Sequence, residues 1–316
     1  MLPETPPSPR LRERKRPTRY ESILLTMGNP FDLNDTATYR RWREQKLAGA
    51  PKTVSDLIVE VHDPRALTPA EHAALAERVS HSNMAIYASP MHEEDTDILR
   101  LLGAQFGLNQ LDANWLAGED GISSIRVFDG GTRQHYIPYT DKPIKWHTDG
   151  YYNPPERQIR AMVLHCVRSA ASGGENRLMD HEMAYLLLRD EDPRHIAALM
   201  HPDAMTIPER VDETDGVRAA QSGPVFSLDA TGHLHMRYTA RTRSIEWKQD
   251  AATAAAVAAL ERLLASDTPL VFQARLEPGM GLLCNNVLHD RGAFTDDARH
   301  PRLLYRARYL DRITCK

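Results

Sequence analysis

Cysteine is scarce in this sequence. Its three cysteines, Cys166, Cys284 and Cys315, form no Cys-x-x-Cys pair among 316 residues. A sparse and odd count argues against a disulfide framework and suits a reducing compartment, so we expect a cytoplasmic protein. Histidine is better represented, with 14 residues. If a metal is bound, imidazole and carboxylate are therefore its expected ligands.

Long apolar stretches are also missing. No run approaches the roughly 18 residues that a membrane span needs, and no apolar segment follows the basic residues near the N-terminus as it would in a secretory signal. Positive charge is not in excess, because 39 basic residues stand against 43 acidic ones and give a net charge of −4. We therefore expect no membrane partner, and the charge disfavours a nucleic-acid partner.

Three common catalytic motifs do not occur. The sequence has no Gly-x-Ser-x-Gly elbow, no P-loop and no Gly-x-Gly-x-x-Gly after a predicted strand. Serine-hydrolase, P-loop and dinucleotide-binding interpretations thus have no positive support.

The chain divides into a tail and a folded region. Residues 1–20 combine five prolines with six arginine and lysine residues. That composition predicts a disordered basic arm, with binding to an acidic partner as the alternative. The pattern of a folded domain is clear from about residue 55, and no linker follows. We expect a single domain over residues 21–316.

The folded region alternates short strands with a few helices. Thr68 and Glu71 form a capping box that starts a helix, and Gly103 is expected to end the next one. Strands are predicted at 57–61, 84–88, 122–128, 224–228, 233–238, 270–276 and 303–310, and helices at 69–80, 94–102 and 251–265 and after Asp180 and Asp192. This pattern indicates a mainly β fold with inserted helices, a sandwich or jelly roll rather than a doubly wound sheet.

Candidate metal ligands occur in His-x-acid pairs, where residues i and i+2 of a strand point to the same face. The sequence has three such pairs, His92/Glu94, His147/Asp149 and His201/Asp203, and chance alone gives about two. His92 opens an acidic helix start, and Pro202 suits a loop rather than a paired strand. Aromatic residues flank His147 and Asp149, so we favour that pair, with a solvated surface pair as the alternative. A third ligand from a distant strand would complete the facial triad of non-haem iron oxygenases.

A second candidate segment lies near the C-terminus, where His289 precedes a predicted strand. Arg302, Arg306 and Arg308 fall at even spacing on one face of that strand. Burying arginines is costly unless they meet anions. We interpret this face as a carboxylate-binding wall next to His289, with a solvent-facing strand as the alternative.

Several of these segments together resemble one known family. The matching elements are Tyr139-Thr140, His147-Thr148-Asp149, Pro154-Pro155, Leu164-His165-Cys166, Gly173-Gly174 and Leu288-His289-Asp290-Arg291. In this order they resemble the taurine dioxygenase superfamily of iron(II)- and 2-oxoglutarate-dependent oxygenases, over about residues 55–312. Within it they are most similar to the γ-butyrobetaine and trimethyllysine hydroxylase branch. Asp290 departs from the glycine of that branch.

The resemblance implies a double-stranded β-helix, or jelly roll, with an iron site at its open end. His147, Asp149 and His289 would hold Fe(II), and Arg302 would pair with the distal carboxylate of 2-oxoglutarate. Asn176 stands where a relative has a threonine that contacts the same carboxylate. Oxygen would use the remaining metal position, and the reaction would release succinate and CO₂.

The resemblance also bears on the substrate. Tyr139 matches one tyrosine of an aromatic cage for trimethylammonium, but residues 121–134 supply only Phe128 as a further ring. Arginines are abundant instead, so we expect hydroxylation or oxidative cleavage of a small anionic molecule, with Tyr139, Tyr151 and Arg306 against it. The alternatives are a quaternary-ammonium hydroxylase, a non-catalytic sensor on the same fold and a zinc hydrolase using the same three ligands. The resemblance also allows a homo-oligomer.

Overall fold

The computed structural model describes residues 28–112, 117–118, 120–212 and 216–314. The basic tail expected at residues 1–20 and Cys315 lie outside these ranges. The helices are α1 (Thr36–Ala48), α2 (Pro69–Ser82), α3 (Asp97–Gln105), α4 (His181–Glu191), α5 (Pro193–Leu199) and α6 (Ala251–Ala265). Short 3₁₀ turns span Val54–Leu57, Thr132–His135, Ile137–Tyr139, Pro155–Arg157 and Thr242–Ser244.

The strands are mostly short. They are β1 (Ile58–Glu60), β2 (Met84–Ala88), β3 (Ser123–Ile125), β4 (Ile144–His147), β5 (Ala161–Arg168), β6 (Ser172–Gly173), β7 (Asn176–Met179), β8 (Met205–Ile207), β9 (Arg210–Asp212), β10 (Gly216–Arg218), β11 (Gln221–Gly223), β12 (Phe226–Leu228), β13 (Leu234–Met236), β14 (Glu246–Trp247), β15 (Phe272–Ala274), β16 (Met280–Cys284), β17 (Leu288–Arg291), β18 (Phe294–Thr295) and β19 (Leu303–Tyr309). The predicted strand 84–88 and helix 251–265 have the observed bounds, while most other predicted strands are longer than the observed ones.

Two sheets form the jelly roll that the strand pattern predicted. The larger has the order β1-β2-β16-β5-β19-β3, and the smaller has the order β15-β7-β17-β4. All of their pairings are antiparallel except β1 with β2. Residues of both sheets, including Leu164, Leu282 and Phe272, share one buried apolar cluster. The core of the sandwich therefore lies between the two sheets.

Helices cover the outer face of each sheet. Leu75 of α2 and Leu102 of α3 pack with Tyr305 and Tyr309 of β19 on the outside of the larger sheet. The helices α1, α4, α5 and α6 form a third cluster with the outer face of the smaller sheet. Leu304 faces the sandwich core while its neighbours Leu303 and Tyr305 face the helices, as the alternation along β19 predicted. Within the described residues, no helix combines the length and apolarity that a bilayer crossing needs.

The first helix lies upstream of the predicted start of the folded pattern. The side chain of Asp35 caps α1 by accepting a hydrogen bond from the backbone N–H of Thr38 at 2.9 Å. Tyr39 and Trp42 of this mostly polar helix reach the apolar cluster under α4. Lys46 anchors its other end, because its Nζ lies 2.6 Å from Asp180 Oδ2 in a buried ion pair. Two aromatic contacts and a few ion pairs produce no apolar periodicity in the sequence, which is why the pattern missed this helix.

Gly103 does not end its helix, contrary to the prediction. It lies inside α3, which continues to Gln105. A Cβ at this position would stand 2.6 Å from the Oη of Tyr309, whose hydroxyl donates to Leu99 O at 3.0 Å. The glycine therefore allows α3 to approach β19 closely, and it does not end the helix.

We expect Gly103→Ala to destabilise the protein by about 1–3 kcal/mol, because the added methyl overpacks the contact with Tyr309. An exposed helical glycine would instead gain about 1 kcal/mol from the same change. Urea unfolding measures the difference. Gly130→Ala is the control, since a Cβ there meets nothing within 4 Å. Equal stability of the two variants would contradict this account of Gly103.

Candidate metal and cosubstrate site

Pairing of β4 with β17 brings two histidines face to face. His147 ends β4 and pairs with His289 of β17, and their ring centroids are 4.2 Å apart. Asp149 follows two residues later, with Oδ1 3.6 Å from His147 Nε2. One ligand atom from each of the three buried residues lies within 4.8 Å of the other two. This is a donor set for a divalent ion with a face left open.

The two competing pairs stay at the surface. His201 contacts Asp203 with both side chains well exposed, and His92 is exposed as well. Neither belongs to a group of three potential ligands anywhere in the described residues. Of the three His-x-acid pairs, His147/Asp149, the one flanked by aromatic residues, is therefore the pair that the fold brings together with a third potential ligand.

Backbone carbonyls set the tautomer of both histidines. The Nδ1 of His147 lies 2.9 Å from Lys145 O, and that of His289 lies 3.0 Å from Val287 O. Because a carbonyl oxygen only accepts, each Nδ1 carries the hydrogen and each Nε2 keeps its lone pair for a metal. Burial and the neighbouring His147 lower the pKa of His289 to about 4. That ring is thus neutral, as a ligand must be.

Charge and hydrogen bonds fix Asp149. Burial alone would raise the pKa of its carboxyl, but Arg306 and then His147 hold the pKa well below its usual value. The Nη1 of Arg306 lies 3.2 Å from Asp149 Oδ2. The backbone of Asp149 is gripped from the other side by Asn286, whose Oδ1 accepts the Asp149 N–H at 2.7 Å and whose Nδ2 donates to Asp149 O at 2.9 Å.

Asn286 is a site residue that the sequence reasoning missed. Its φ of 51° lies in the left-handed region, where asparagine is among the few side chains tolerated. Its Nδ2 also donates to Ile159 O at 2.6 Å. One signal in the sequence could have found it. Asn286 belongs to an Asn-Asn dipeptide and lies three residues before His289, and asparagine is a residue type suited to a left-handed turn.

Arg302 is a buried cation without an anion. It is 5% exposed, its Nη1 has no hydrogen-bond partner, and its side chain makes no ion pair within the described ranges. Its guanidinium stands 4.9 Å from the ring of Phe294. Burial lowers its pKa. A buried, unpaired guanidinium destabilises the folded protein unless an anion binds to it. Arg302 lines a cavity of about 50 Å³ together with His147 and His289.

Asn176 lines the same cavity, but part of its amide is already engaged. Its Nδ2 donates to the backbone carbonyl of Asp290 at 2.7 Å. Its contact with a cosubstrate carboxylate stays a prediction. Asp290, the departure from the family pattern, has a structural role: its two oxygens accept from the backbone N–H of Arg177 at 2.9 Å and from its Nε at 2.8 Å. This pair ties β7 to β17.

The expected wall of three arginines is only partly open to ligands. Arg306 is paired with Asp149, as described above. Arg308 donates to Asp112 Oδ2 at 2.6 Å and to the hydroxyl of Tyr152 at 2.9 Å. Asp112 was not foreseen as a partner, because it is 196 residues away in sequence. Two of the three guanidiniums thus have internal carboxylates, and Arg302 alone of the three lacks one.

A larger cavity of about 790 Å³ opens beside the triad and contains all three predicted substrate contacts, Tyr139, Tyr151 and Arg306. Basic residues outnumber acidic ones in its described lining. The acidic residues are Asp149 and Glu209, and the basic residues are Lys145, Arg157, Arg210, Arg218, Arg241, Arg243, Arg306 and Arg308. Such a cavity favours an anionic ligand.

The aromatic cage for trimethylammonium is not formed. Phe128 packs edge-to-face on Tyr139 with centroids 5.7 Å apart. The guanidiniums of Arg126 and Arg133 stand 4.8 and 5.2 Å from the Phe128 ring. Cations of the protein therefore already occupy the π faces that a quaternary ammonium would need.

Fold and site together define a class, the jelly-roll oxygenases that use non-haem iron(II), 2-oxoglutarate and O₂. The match to the Taurine catabolism dioxygenase TauD, TfdA family spans residues 66–308, and the chain belongs to this family. It is a dioxygenase with a small-molecule substrate.

Two relatives are named uridine-5'-phosphate dioxygenase. The one from Amycolatopsis sp is 33% identical over 214 residues, covering 61% of this chain and 76% of the relative. The one from Streptomyces sp is 32% identical over 185 residues, covering 56% and 65%. These names do not support the expected similarity to the γ-butyrobetaine and trimethyllysine hydroxylase branch.

Solved structures share the fold at low identity. Asparagine oxygenase in complex with Fe(II), hydroxyasparagine and succinate has a TM-score of 0.56 at 16% identity, covering 92% of this chain and 88% of its own. AAD-2 in complex with Mn(II) and N-oxalylglycine has a TM-score of 0.57 at 13% identity, covering 82% and 97%.

We expect Asn286→Ala to weaken Fe(II) binding about 10- to 100-fold, because the backbone that carries Asp149 loses its clamp. Anaerobic titration with Fe(II) or Co(II), without cosubstrate, measures the affinity. Asn286→Asp keeps the acceptor and loses the donor, so its affinity should be intermediate. Wild-type affinity in a folded Asn286→Ala variant would exclude the positioning role.

Proposed function

We propose that His147, Asp149 and His289 hold the Fe(II) of this dioxygenase and that Arg302 binds the distal carboxylate of 2-oxoglutarate. The buried guanidinium of Arg302, unpaired and opening on the same cavity as both histidines, is the observation that carries this assignment. A zinc hydrolase would have no use for an unpaired arginine there, and a non-catalytic sensor would have no need of iron.

The bound iron and cosubstrate would supply the oxidising chemistry, converting 2-oxoglutarate to succinate and CO₂ while oxygen is transferred to a C–H bond of the substrate. The chain's own residues prepare the site. Two carbonyl-anchored imidazoles and one ionised carboxylate present fixed donors, and the clamp of Asn286 keeps Asp149 in place. Apolar side chains such as Leu164 and Leu304 line the small cavity. They would exclude water from the ion pair between Arg302 and the distal carboxylate of 2-oxoglutarate.

The substrate is proposed to be a small phosphorylated anion of the nucleoside 5'-phosphate class. Support comes from two directions: the basic lining of the large cavity, and the names of the two uridine-5'-phosphate dioxygenase relatives. Tyr139, Tyr151 and Arg306 lie in the wall of this cavity. A quaternary-ammonium substrate would meet a wall of like charge.

We expect Arg302→Ala to raise the apparent dissociation constant of 2-oxoglutarate by roughly a hundred- to several-thousand-fold. The reason is that a buried carboxylate left without its cationic partner costs about 3–5 kcal/mol of binding free energy. Iron should stay bound in this variant. The anaerobic charge-transfer absorption of the Fe(II)–2-oxoglutarate complex reports both events. His147→Ala should lose the iron itself, and His201→Ala should change neither. An unchanged cosubstrate constant in Arg302→Ala would refute the assignment.

We also expect small anions to stimulate succinate release and quaternary ammonium compounds not to do so. The panel contains uridine-5'-phosphate, uridine, other nucleoside 5'-phosphates, simple carboxylates and sulfonates, γ-butyrobetaine and trimethyllysine. Strong coupling to either quaternary ammonium compound, with none to the anions, would overturn the substrate proposal while leaving the enzyme class intact.

A further inference from the structure

The cations that line the large cavity are not equivalent. Arg306 is paired with Asp149, and Arg308 is paired with Asp112. Arg157 also reaches Asp112, with its Nη2 2.5 Å from Oδ1. Each of these three guanidiniums thus has an internal carboxylate, although the half-exposed Arg157 shares Asp112 with Arg308. They shape the cavity, but a ligand that used them would have to compete with a buried carboxylate.

Arg218 and Arg241 differ, because neither makes an ion pair with any residue in the described ranges. The Nε of Arg218 is buried and has no hydrogen-bond partner. Its guanidinium stands 5.0 Å from the ring centroid of Tyr152, whose hydroxyl is in turn held by Arg308. An aromatic face thus positions Arg218, and stacking leaves the N–H edge of a guanidinium free to meet oxygens.

The two arginines line one cavity together with Tyr151, His147 and Asp149. Arg218 stands over the ring of Tyr152, whose centroid is 5.2 Å from that of Tyr151. The backbone N–H of Arg241 donates to Thr239 Oγ1 at 3.3 Å, and Thr239 lines the same cavity. Two cations without an ion-pair partner among the described residues therefore share one cavity with two of the candidate metal ligands.

The position relative to the metal follows from the backbone. Thr239 pairs with His147 in an isolated antiparallel bridge. Arg241 comes two residues after Thr239, about 7 Å further along an extended chain. Arg218 stands over Tyr152, which follows Asp149 by three residues, so both arginines lie beside segments that carry or pair with the candidate iron ligands.

We propose that Arg218 and Arg241 form a subsite for the phosphate monoester of the substrate, distinct from the arginines of β19. This inference rests on the function proposed above. A phosphate monoester carries about −1.5 to −2 charges at pH 7 and offers three acceptor oxygens. Two unneutralised guanidiniums match that charge and geometry. A neutral nucleoside would gain nothing from them.

The test compares uridine-5'-phosphate with uridine. Calorimetry under anaerobic conditions measures the binding of each to the complex of the enzyme with Fe(II) and 2-oxoglutarate. Arg218→Ala should weaken uridine-5'-phosphate about 10- to 100-fold, because a charge-assisted contact is lost, and should leave uridine unchanged. Arg241→Ala should act in the same direction with a smaller loss, since Arg241 is more exposed.

Two further variants separate charge from shape. Arg218→Lys should recover part of the loss, because the charge remains while the planar fork is gone. Arg299→Ala removes an exposed arginine that lines none of the cavities described above and should bind both ligands as the wild type does. An equal loss for uridine and its phosphate, or a normal phosphate preference in the double variant Arg218→Ala/Arg241→Ala, would overturn the subsite.

The outcome also separates this inference from the proposed function. If uridine-5'-phosphate binds through the two arginines without stimulating succinate release, the subsite stands and the proposed substrate is wrong. If neither a phosphate monoester nor inorganic phosphate, tested as a competitor, binds to an enzyme that still forms the Fe(II)–2-oxoglutarate complex, the subsite is refuted and the dioxygenase assignment stands.

Discussion

The site depends on the antiparallel pairing of β4 with β17. This one ladder places His147 opposite His289, and each histidine then uses the carbonyl two residues before it to fix its tautomer. The strand geometry itself therefore orients both imidazoles, with no further side chain required. Asp149 lies just past the end of β4, where strand pairing no longer holds it. Asn286 takes over that task by bonding to both the N–H and the C=O of Asp149.

Buried arginines are the second constraint, and the fold satisfies them in three different ways. Arg306 and Arg308 meet carboxylates. Arg291 donates to the backbone carbonyls of Pro138, Thr140 and Lys142, which tie down the chain before β4. Carbonyls compensate a cation less fully than a carboxylate does, and burial together with Arg302 lowers the pKa of Arg291 to about 9. Arg302 is left for an external anion.

The sequence predicted the fold class and the three clustered residues because both rest on local pattern: alternation along strands, and one motif whose aromatic and proline context set it apart. It predicted the face of β19 for the same reason. It did not predict that Asp112 would neutralise Arg308 or that Gly103 would face Tyr309. These contacts join segments about 200 residues apart, and nothing in either segment marks its partner. The helix α1 was missed because its anchoring consists of a few tertiary contacts rather than an apolar stripe.

Long-range pairing also explains why arginine content alone overstates the charge available to a ligand. The whole chain is acidic, with a net charge of −4, yet the large cavity collects eight cations in its described lining. Carboxylates on neighbouring elements pair with Arg306 and Arg308, the two cations of this lining that β19 carries, since a buried unpaired charge is the costliest. Arg218 and Arg241 make no ion pair in the described part of the chain, and Arg241 is exposed to water. Paired charge therefore lies at Asp149, whereas Arg302 in the smaller cavity and Arg218 and Arg241 in the larger one are left to meet anionic groups.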